Sequence, residues 1–451
     1  MKYFEEKVYD IVVAGGGPAG VPAAVAAACE GADVLLVERF GFLGGMATAG
    51  LVNPWMPFHD SSDDPERRGS AIITGIMAEI DERLAAKRGL EGRTFDPEVM
   101  KIVLQEMVEE AGVALLCHTV VCGAVRDADL VKGVRVATKG SLLELKARFF
   151  IDCTGDADLA TLAGATIEKG RPEDGQTQPC TLNFRVGGVN IDRFSKWREK
   201  EREDHPDERL GHRLITKWQK EGRTTCARDN FLIFNTTIPG VLHFNQTRIV
   251  KVDVTHPNEM TRAQVEGTRQ VNEFIGLLRE EVGGFENAYL HAIAPQIGVR
   301  ESRRVMGDYV LSEEDVLGAA KFEDGIVRAN YPLDIHNPTG AGTVIKALER
   351  GTTYEIPYRC LTPRGLGNLL VAGRPISATH EAHSSLRVMP ICIGMGQAAG
   401  IAAAMAVAAG CDSRGIDAGE LRSRITGRGG NLDREPDSAD PKPAAAEAAG
   451  E

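Results

Sequence analysis

The sequence has no CxxC pair and no Cys/His spacing of a zinc site. Its cysteines, Cys29, Cys117, Cys122, Cys153, Cys180, Cys226, Cys360, Cys392 and Cys411, are scattered, mostly in apolar runs. A reduced thiol there behaves as a small hydrophobe, so a reduced chain without a bound metal is expected. Residues 1–10 carry Lys2, Glu5, Glu6 and Lys7 and lead straight into a strand. They lack the basic start, apolar middle and small-residue cleavage site of a secretory signal, and the expected location is the cytoplasm. The richest apolar stretch, residues 391–409, is interrupted by Gly394, Gly396, Gln397 and Gly400, so neither a membrane span nor a membrane partner is expected. Positive charge is also short. A formal net charge of −12 argues against a nucleic-acid partner, which demands clustered Lys and Arg. The local patch of Arg300, Arg303 and Arg304 suits a small anion better than a duplex.

At 451 residues the chain is too long for one core, and more than one domain is expected. Residues 9–38 read as a βαβ unit: apolar strand 11–14, Ala-rich helix 21–30 ended by Gly31, and apolar strand 34–37 ending on Glu38. Continuous apolar strands joined by a helical crossover imply a parallel sheet covered on both faces. Residues 96–111 read as a helix with Asp96 as N-cap and Pro97 in its first turn. Strands are expected at 115–125, 131–138, 142–147 and 149–153. From 171 to 363 charged helices (192–220, 261–282) mix with strand-like runs such as 232–238, which suggests a second domain inserted into the first. The parallel-sheet character returns at 368–373, before a small-residue helix at 390–409. The expected division is 1–170 and 364–427 for the first domain and 171–363 for the insert. Residues 428–451, rich in Asp, Glu, Pro and Ala, are expected to be a disordered tail. Whether the chain forms a homo-oligomer is left open.

Gly15, Gly17 and Gly20, with Pro18 and Ala19 between them, form a GxGxxG turn between the first strand and its helix. Gly15 permits the tight turn, Gly17 lets the backbone approach a pyrophosphate, and Gly20 seats the helix on the strand. Glu38, at the end of the second strand, is where a carboxylate accepts ribose hydroxyls. Together these features predict dinucleotide binding, by NAD or FAD alike. A second Gly-rich segment, Gly41-Phe42-Leu43-Gly44-Gly45-Met46-Ala47-Thr48-Ala49-Gly50, follows the acid. Further candidate elements are Ile151-Asp152-Cys153-Thr154-Gly155-Asp156 and Leu369-Leu370-Val371-Ala372-Gly373-Arg374-Pro375. The last is Leu386-Arg387-Val388-Met389-Pro390-Ile391-Cys392-Ile393-Gly394-Met395-Gly396-Gln397-Ala398-Ala399-Gly400. Its glycines either allow close approach of backbone to a flat ligand or form a tight helix–sheet packing surface; on the first reading its N-terminus would favour a reduced, anionic ring by ~0.3–1 kcal/mol.

Read together, these segments resemble the FAD-dependent oxidoreductase family carrying a GFLGGMAT segment and an NLLVAGR…GQAAG C-terminus. Further matching runs are Ile297-Gly298-Val299-Arg300-Glu301-Ser302-Arg303-Arg304, Tyr331-Pro332-Leu333-Asp334-Ile335-His336-Asn337-Pro338 and Ile356-Pro357-Tyr358-Arg359. The resemblance implies an α/β, Rossmann-type, glutathione-reductase-like FAD-binding domain with an inserted α+β substrate domain, and FAD as cofactor. It implies cofactor contacts at Gly15, Gly17, Pro18, Ala19, Gly20, Glu38, Arg39, Gly44, Gly45, Met46, Thr48 and Val121. Further along it implies them at Thr154, Gly155, Asp156, Gly373, Arg374, Gly394, Gly396 and Gln397. In the disulfide reductases of that group the second Gly-rich segment holds a redox cysteine pair. Here it has none, so thiol–disulfide chemistry is excluded at that place. Arg374 stands where the group usually has Asp.

A flavin moves the electrons, and the protein must supply an acid or base and a shaped pocket. His380, His383 and Arg387 precede the C-terminal helix and are the candidate catalytic group: an imidazole as base for a CH–OH or CH–NH, Arg387 as anchor for an anion. The alternative is that both histidines brace the loop. Arg300, Glu301 and Arg304 either shape the substrate pocket or form a buried ion-pair network, and His59 is a further candidate for the pocket wall. The leading expectation is hydride transfer between FAD and a small polar metabolite, with the electron acceptor or donor open. An NAD-dependent dehydrogenase and a non-catalytic flavin-binding protein are the alternatives.

Overall fold

The computed structural model describes residues 1–433. Strand Val8–Ala14 runs into the Gly-rich turn, helix Gly20–Cys29 crosses over, and strand Val34–Val37 returns parallel to the first, Ile11 opposite Val34 and Ala14 opposite Val37. Every residue of the returning strand is buried, as its uninterrupted apolar run requires. The sheet then runs in the order Lys2–Tyr3, Ala114–Leu116, Val34–Val37, Val8–Ala14, Leu142–Asp152, with Leu369–Val371 also paired to Leu142–Asp152. All of these pairings are parallel. The far edge is antiparallel, formed by Leu130–Ala137 and Val120–Asp127. The fold is thus mixed α/β around a parallel-strand sheet.

Two boundaries differ from the sequence reading. The single strand expected over 115–125 is two, because His118 adopts a positive φ of 52° and turns the chain from the parallel region into the antiparallel one. Conversely, the strands expected at 142–147 and 149–153 are one, Leu142–Asp152. Its first residues pair antiparallel with Leu130–Ala137 and its last lie parallel to Val8–Ala14.

Helix Pro97–Glu110 starts where expected, the Asp96 carboxylate accepting from the amides of Glu98 and Val99. Helix Met389–Ala409 packs along Gly20–Cys29. A Cβ at Gly396 would come 2.1 Å from the Ala19 carbonyl oxygen, and one at Gly400 2.2 Å from that of Ala23. The glycines therefore do not interrupt this helix; they let it touch its neighbour. With 21 mostly apolar residues it has the length and composition of a membrane span, against the expectation that no run does, and it is mostly buried inside the protein.

Residues 180–299 carry a second apolar cluster around Trp218, Phe244, Phe274 and Phe285. A four-stranded antiparallel sheet, Ile233–Asn235, Leu242–Phe244, Phe184–Gly187 and Tyr289–Ile293 in that order, accompanies helix Pro257–Glu281. The charged helix expected over 192–220 is two, Ile191–Asp204 and His212–Lys220, parted at Pro206 and at Gly211 with φ 76°. Residues 428–433 of the expected tail are packed on the protein. Arg428 binds Glu30, the Asn431 amide nitrogen donates to the Ala71 carbonyl, and Leu432 is buried. Residues 434–451 lie outside the described residues.

Candidate functional site

The carboxyl ends of four parallel strands deliver Gly15, Glu38, Cys153 and Ala372 to one side of the sheet, where open α/β folds bind their ligands. Two adjoining clefts of about 720 and 970 Å³ lie there, sharing Pro18, Met46, Cys153, Gly155 and Arg374 as lining, so together they form one trough. The smaller cleft is walled by Gly15, Gly17, Glu38, Arg39, Gly45, Val121 and Thr154. Ala19 and Gly373 line the larger. Thirteen of the twenty expected cofactor residues are thereby lining residues of one trough.

The turn fits a pyrophosphate for reasons visible in its packing. A Cβ at Gly20 would sit 1.7 Å from the Gly15 carbonyl oxygen, and one at Gly15 2.5 Å from that of Cys153; both glycines are demanded by the protein itself. At Gly17 the nearest atom, Gly45 Cα, lies 3.8 Å away, so the space a side chain would fill belongs to the trough. Helix Gly20–Cys29 has no side-chain cap at Ala19, and helix Met389–Ala409 has none at Val388. Apart from the Val21 amide, which donates to the Gly17 carbonyl, their first-turn amides are left for other acceptors, and a helix N-terminus favours an anion. Glu38 is buried, its Oε2 accepting from the Gly16 amide at 2.7 Å and its Oε1 from the Phe40 amide at 2.9 Å. Burial pushes its carboxyl upward against those two bonds. The loops and acid thus fit a dinucleotide.

Several expected contacts lie elsewhere. Gly44 and Thr48 hold the loop rather than face the trough: the Gly44 amide donates to the Gly16 carbonyl, and Thr48 Oγ1 to that of Leu43. Asp156 is turned away, accepting from Arg374 Nη2 at 2.7 Å and Ser302 Oγ at 2.7 Å. It thereby holds the guanidinium that replaces the usual Asp at the junction of the clefts. Gly20 packs beneath the turn. Gly396 packs on Ala19, Gly394 on Val327, and Gln397 Oε1 accepts from the Ile76 amide at the start of helix Ile76–Ala86. Those last three are packing residues; the part of their helix that reaches the trough is its first turn, Val388, Met389 and Cys392. All nine cysteines are free, and burial pushes the Cys392 thiol up to about 12 and that of Cys153 well above its ordinary value.

In the larger cleft the far wall is polar, with Arg300, Tyr331, Asp334, His336, Asn245 and Arg387. Arg387 Nη2 donates to the Gln178 side-chain oxygen and the Asp334 carbonyl, and lies 3.5 Å from the Asp334 carboxylate. Asp334 Oδ2 lies 3.4 Å from His336 Nε2. His336, Arg387 and Arg300 hold the Asp334 carboxyl well below the usual range despite its burial. Burial, then the Arg300 charge, push His336 down to about 3, so it is neutral at ordinary pH. The Asp334–His336 pair was not singled out from sequence, since a Pro- and Asn-rich run reads as a loop, while the structure makes it strand Leu333–His336 of a hairpin with Thr343–Lys346.

His380 and His383 do not reach the cleft. His380 Nδ1 is 2.9 Å from Glu301 Oε1, which also pairs with Arg304, and Glu301 Oε2 accepts from the Gln178 amide. Glu301 and Arg304 are therefore a buried ion-pair network braced by His380, not pocket wall. His383 is fully buried, its Nε2 bonded to the Arg374 carbonyl at 3.0 Å, and burial holds it well below the usual histidine range. His59 stacks on Phe58, ring centroids 4.2 Å apart, outside both clefts.

Comparison with known proteins agrees with this geometry. The profile of the FAD dependent oxidoreductase family matches residues 10–425. A digeranylgeranylglycerophospholipid reductase of Methanosarcina acetivorans is 28% identical over 194 residues, 41% of this chain and 46% of that protein. A thiamine thiazole synthase of Aeropyrum pernix is 30% identical over 158 residues, 34% of this chain and 56% of that protein. The chain thus matches about half the length of these relatives. Among solved structures, a geranylgeranyl bacteriochlorophyll reductase-like protein of Thermoplasma acidophilum covers 94% of this chain and 84% of its own at 13% identity and a TM-score of 0.47. The family match decides between the two dinucleotides that the Gly-rich turn alone admits: the chain belongs to the FAD dependent oxidoreductase family.

Proposed function

We propose that this flavoenzyme transfers hydride between FAD and a small polar metabolite, oxidising a CH–OH or CH–NH group. The observation that carries the reading is the lining of the larger cleft, which brings the nucleotide-binding segments (Pro18, Ala19, Gly373) together with Arg300, Asp334, His336 and Arg387. On this reading the protein has a glutathione-reductase-like FAD domain, residues 1–170 and 364–427, and residues 171–363 are an inserted substrate domain. When bound, FAD accepts the hydride. Arg39, Glu38 and Val121 hold its adenosine end, the uncapped turn at Gly17–Gly20 its pyrophosphate, and Arg374 the bend between the two clefts. Arg387 anchors an anionic group of the metabolite and so orients the reacting carbon. Neutral His336, its Nε2–H facing Asp334, takes the proton from oxygen or nitrogen on Nδ1, once substrate displaces the Thr343 hydroxyl that stands 3.0 Å from that atom. An anion bound at Arg300 relieves one of the charges that hold His336 down, raising its basicity once substrate is in place.

Anaerobic addition of hydroxy acids, amino acids, neutral alcohols and prenyl lipids to the FAD-loaded protein tests the reading. Bleaching of the flavin band by a hydroxy or amino acid is expected. A protein bleached by none of them, whose chemically reduced flavin is reoxidised by a prenyl lipid, contradicts it.

A further inference from the structure

Most buried charges near the cleft are matched: Glu301 faces Arg304, and Asp156 faces Arg374. A second set of arginines is not. Arg228, Arg248 and Arg300 are 5%, 3% and 8% exposed, and among the described residues none of them has a carboxylate within ion-pair distance. Arg300 spends its donors on neutral acceptors, the Pro179 carbonyl at 2.7 Å, Thr181 Oγ1 at 2.6 Å and Asn245 Oδ1 at 3.3 Å. Arg248 Nη2 donates to the carbonyls of Asn337 and Gly342, and its Nε has no acceptor. Arg228 Nε and Nη2 have none.

These residues are joined to the cleft. Asn245, which accepts from Arg300, lines it. The Arg228 amide donates to Cys226 Sγ, which donates to the Gln246 carbonyl, tying Arg228 to the same segment. Arg248 grips the hairpin that presents His336. Burial first, then Arg387, Arg228 and Arg248, lower Arg300 well below its ordinary value, while Asp229 and Asp334 act on Arg228 and Arg248 from beyond ion-pair distance. Asp334 is already shared between His336 and Arg387. Buried cations without carboxylates cost stability, so a ligand is the natural source of the missing negative charge.

We propose that the substrate carries a doubly charged anionic end, two carboxylates or a phosphate, seated against Arg300 with Arg228 and Arg248 behind it. This rests on the cleft being the substrate site of the proposed flavoenzyme. A monoanion leaves most of the cluster's charge unmatched; a dianion answers two of its three charges through Arg300, the member that lines the cleft. The site therefore selects for charge number before it selects for the group to be oxidised.

The test is calorimetric titration of the FAD-loaded protein with malonate, succinate, inorganic phosphate and propionate, repeated on Arg228→Met and Arg228→Lys. At least one dianion is expected to bind about tenfold or more tightly than propionate; which arm responds, dicarboxylate or phosphate, identifies the group. Arg228→Met should erase that preference while the ligand-free protein melts no lower than wild type, because an unmatched buried charge has been removed. Arg228→Lys should retain part of it. Equal binding of dianions and propionate by the wild type overturns the inference, as does an unchanged preference in folded Arg228→Met. If Arg228→Met does not fold, the wild-type comparison decides by itself. A protein that takes up no flavin fails the functional reading instead, and the same titrations on it still decide the charge preference.

Discussion

Gly15, Gly17 and Gly20 share one turn, yet a side chain at each meets something different. At Gly15 and Gly20 it meets backbone carbonyls at 2.5 and 1.7 Å, whereas at Gly17 it meets nothing closer than 3.8 Å. Gly17→Val is therefore expected to yield a folded protein that retains FAD at least about tenfold more weakly. The ratio of flavin to protein absorbance after purification, with circular dichroism as the folding control, measures this. Full flavin content in a folded variant would contradict it. The histidines teach the converse. His380, His383 and Arg387 are close in sequence, but helix His380–Leu386 turns both rings inward and leaves Arg387 at its end, on the cleft. Which of three neighbours faces the ligand depends on helical phase and on Glu301, a residue far away in the chain. His383→Ala should then lower stability by about 2–4 kcal/mol, as loss of a buried ring does, and leave flavin reduction in FAD-saturated protein near wild type. Stopped-flow reduction beside a thermal melt separates the two effects.

At the scale of elements, the βαβ unit and the Asp96-capped helix were legible because their signals are local: apolar runs, a glycine turn, a carboxylate N-cap. The C-terminal helix was legible as a helix, with ligand approach and close packing both open as the purpose of its glycines. Glycines that admit a flat ligand and glycines that admit a second helix make the same pattern, and the contact of Gly396 with Ala19 is tertiary. Gly396→Ala is expected to destabilise the protein by about 1–3 kcal/mol through overpacking and to weaken flavin binding by displacing Ala19; an unchanged melting temperature would contradict the packing account. The antiparallel sheet holds another consequence. His243 is fully buried with both ring nitrogens unpartnered, and burial pushes it down to about 3. It stays neutral when folded and takes a proton when unfolded, so its contribution is intact above about pH 6.5 and is lost as pH falls from there toward 3, by up to about 1.4 kcal/mol per pH unit. Asp81 and Asp158, raised by burial to about 6, act in the opposite sense. The difference between wild type and His243→Phe isolates the histidine: chemical denaturation at pH 7 and pH 5 should show a smaller acid loss in the variant, and equal losses would contradict it.

Across the whole molecule, the return of the chain to the parallel sheet at Leu369–Val371 brings Gly373 and Arg374 beside the first Gly-rich turn. That closure was legible from the apolar strand and the family resemblance. The polar wall was legible only at Arg300 and Arg387. Asp334 and His336 sit in a Pro- and Asn-rich run, and their meeting with both arginines is a property of the assembled cleft. On the proposed function, hydride moves in this cleft, on a metabolite held by that wall. The most direct measurement is anaerobic stopped-flow reduction of FAD-loaded Arg387→Ala against wild type, over a range of concentrations of a reducing acid. The half-saturating concentration should rise about 10²-fold, with flavin content unchanged. The same half-saturating concentration and the same limiting rate in both proteins would contradict the claim.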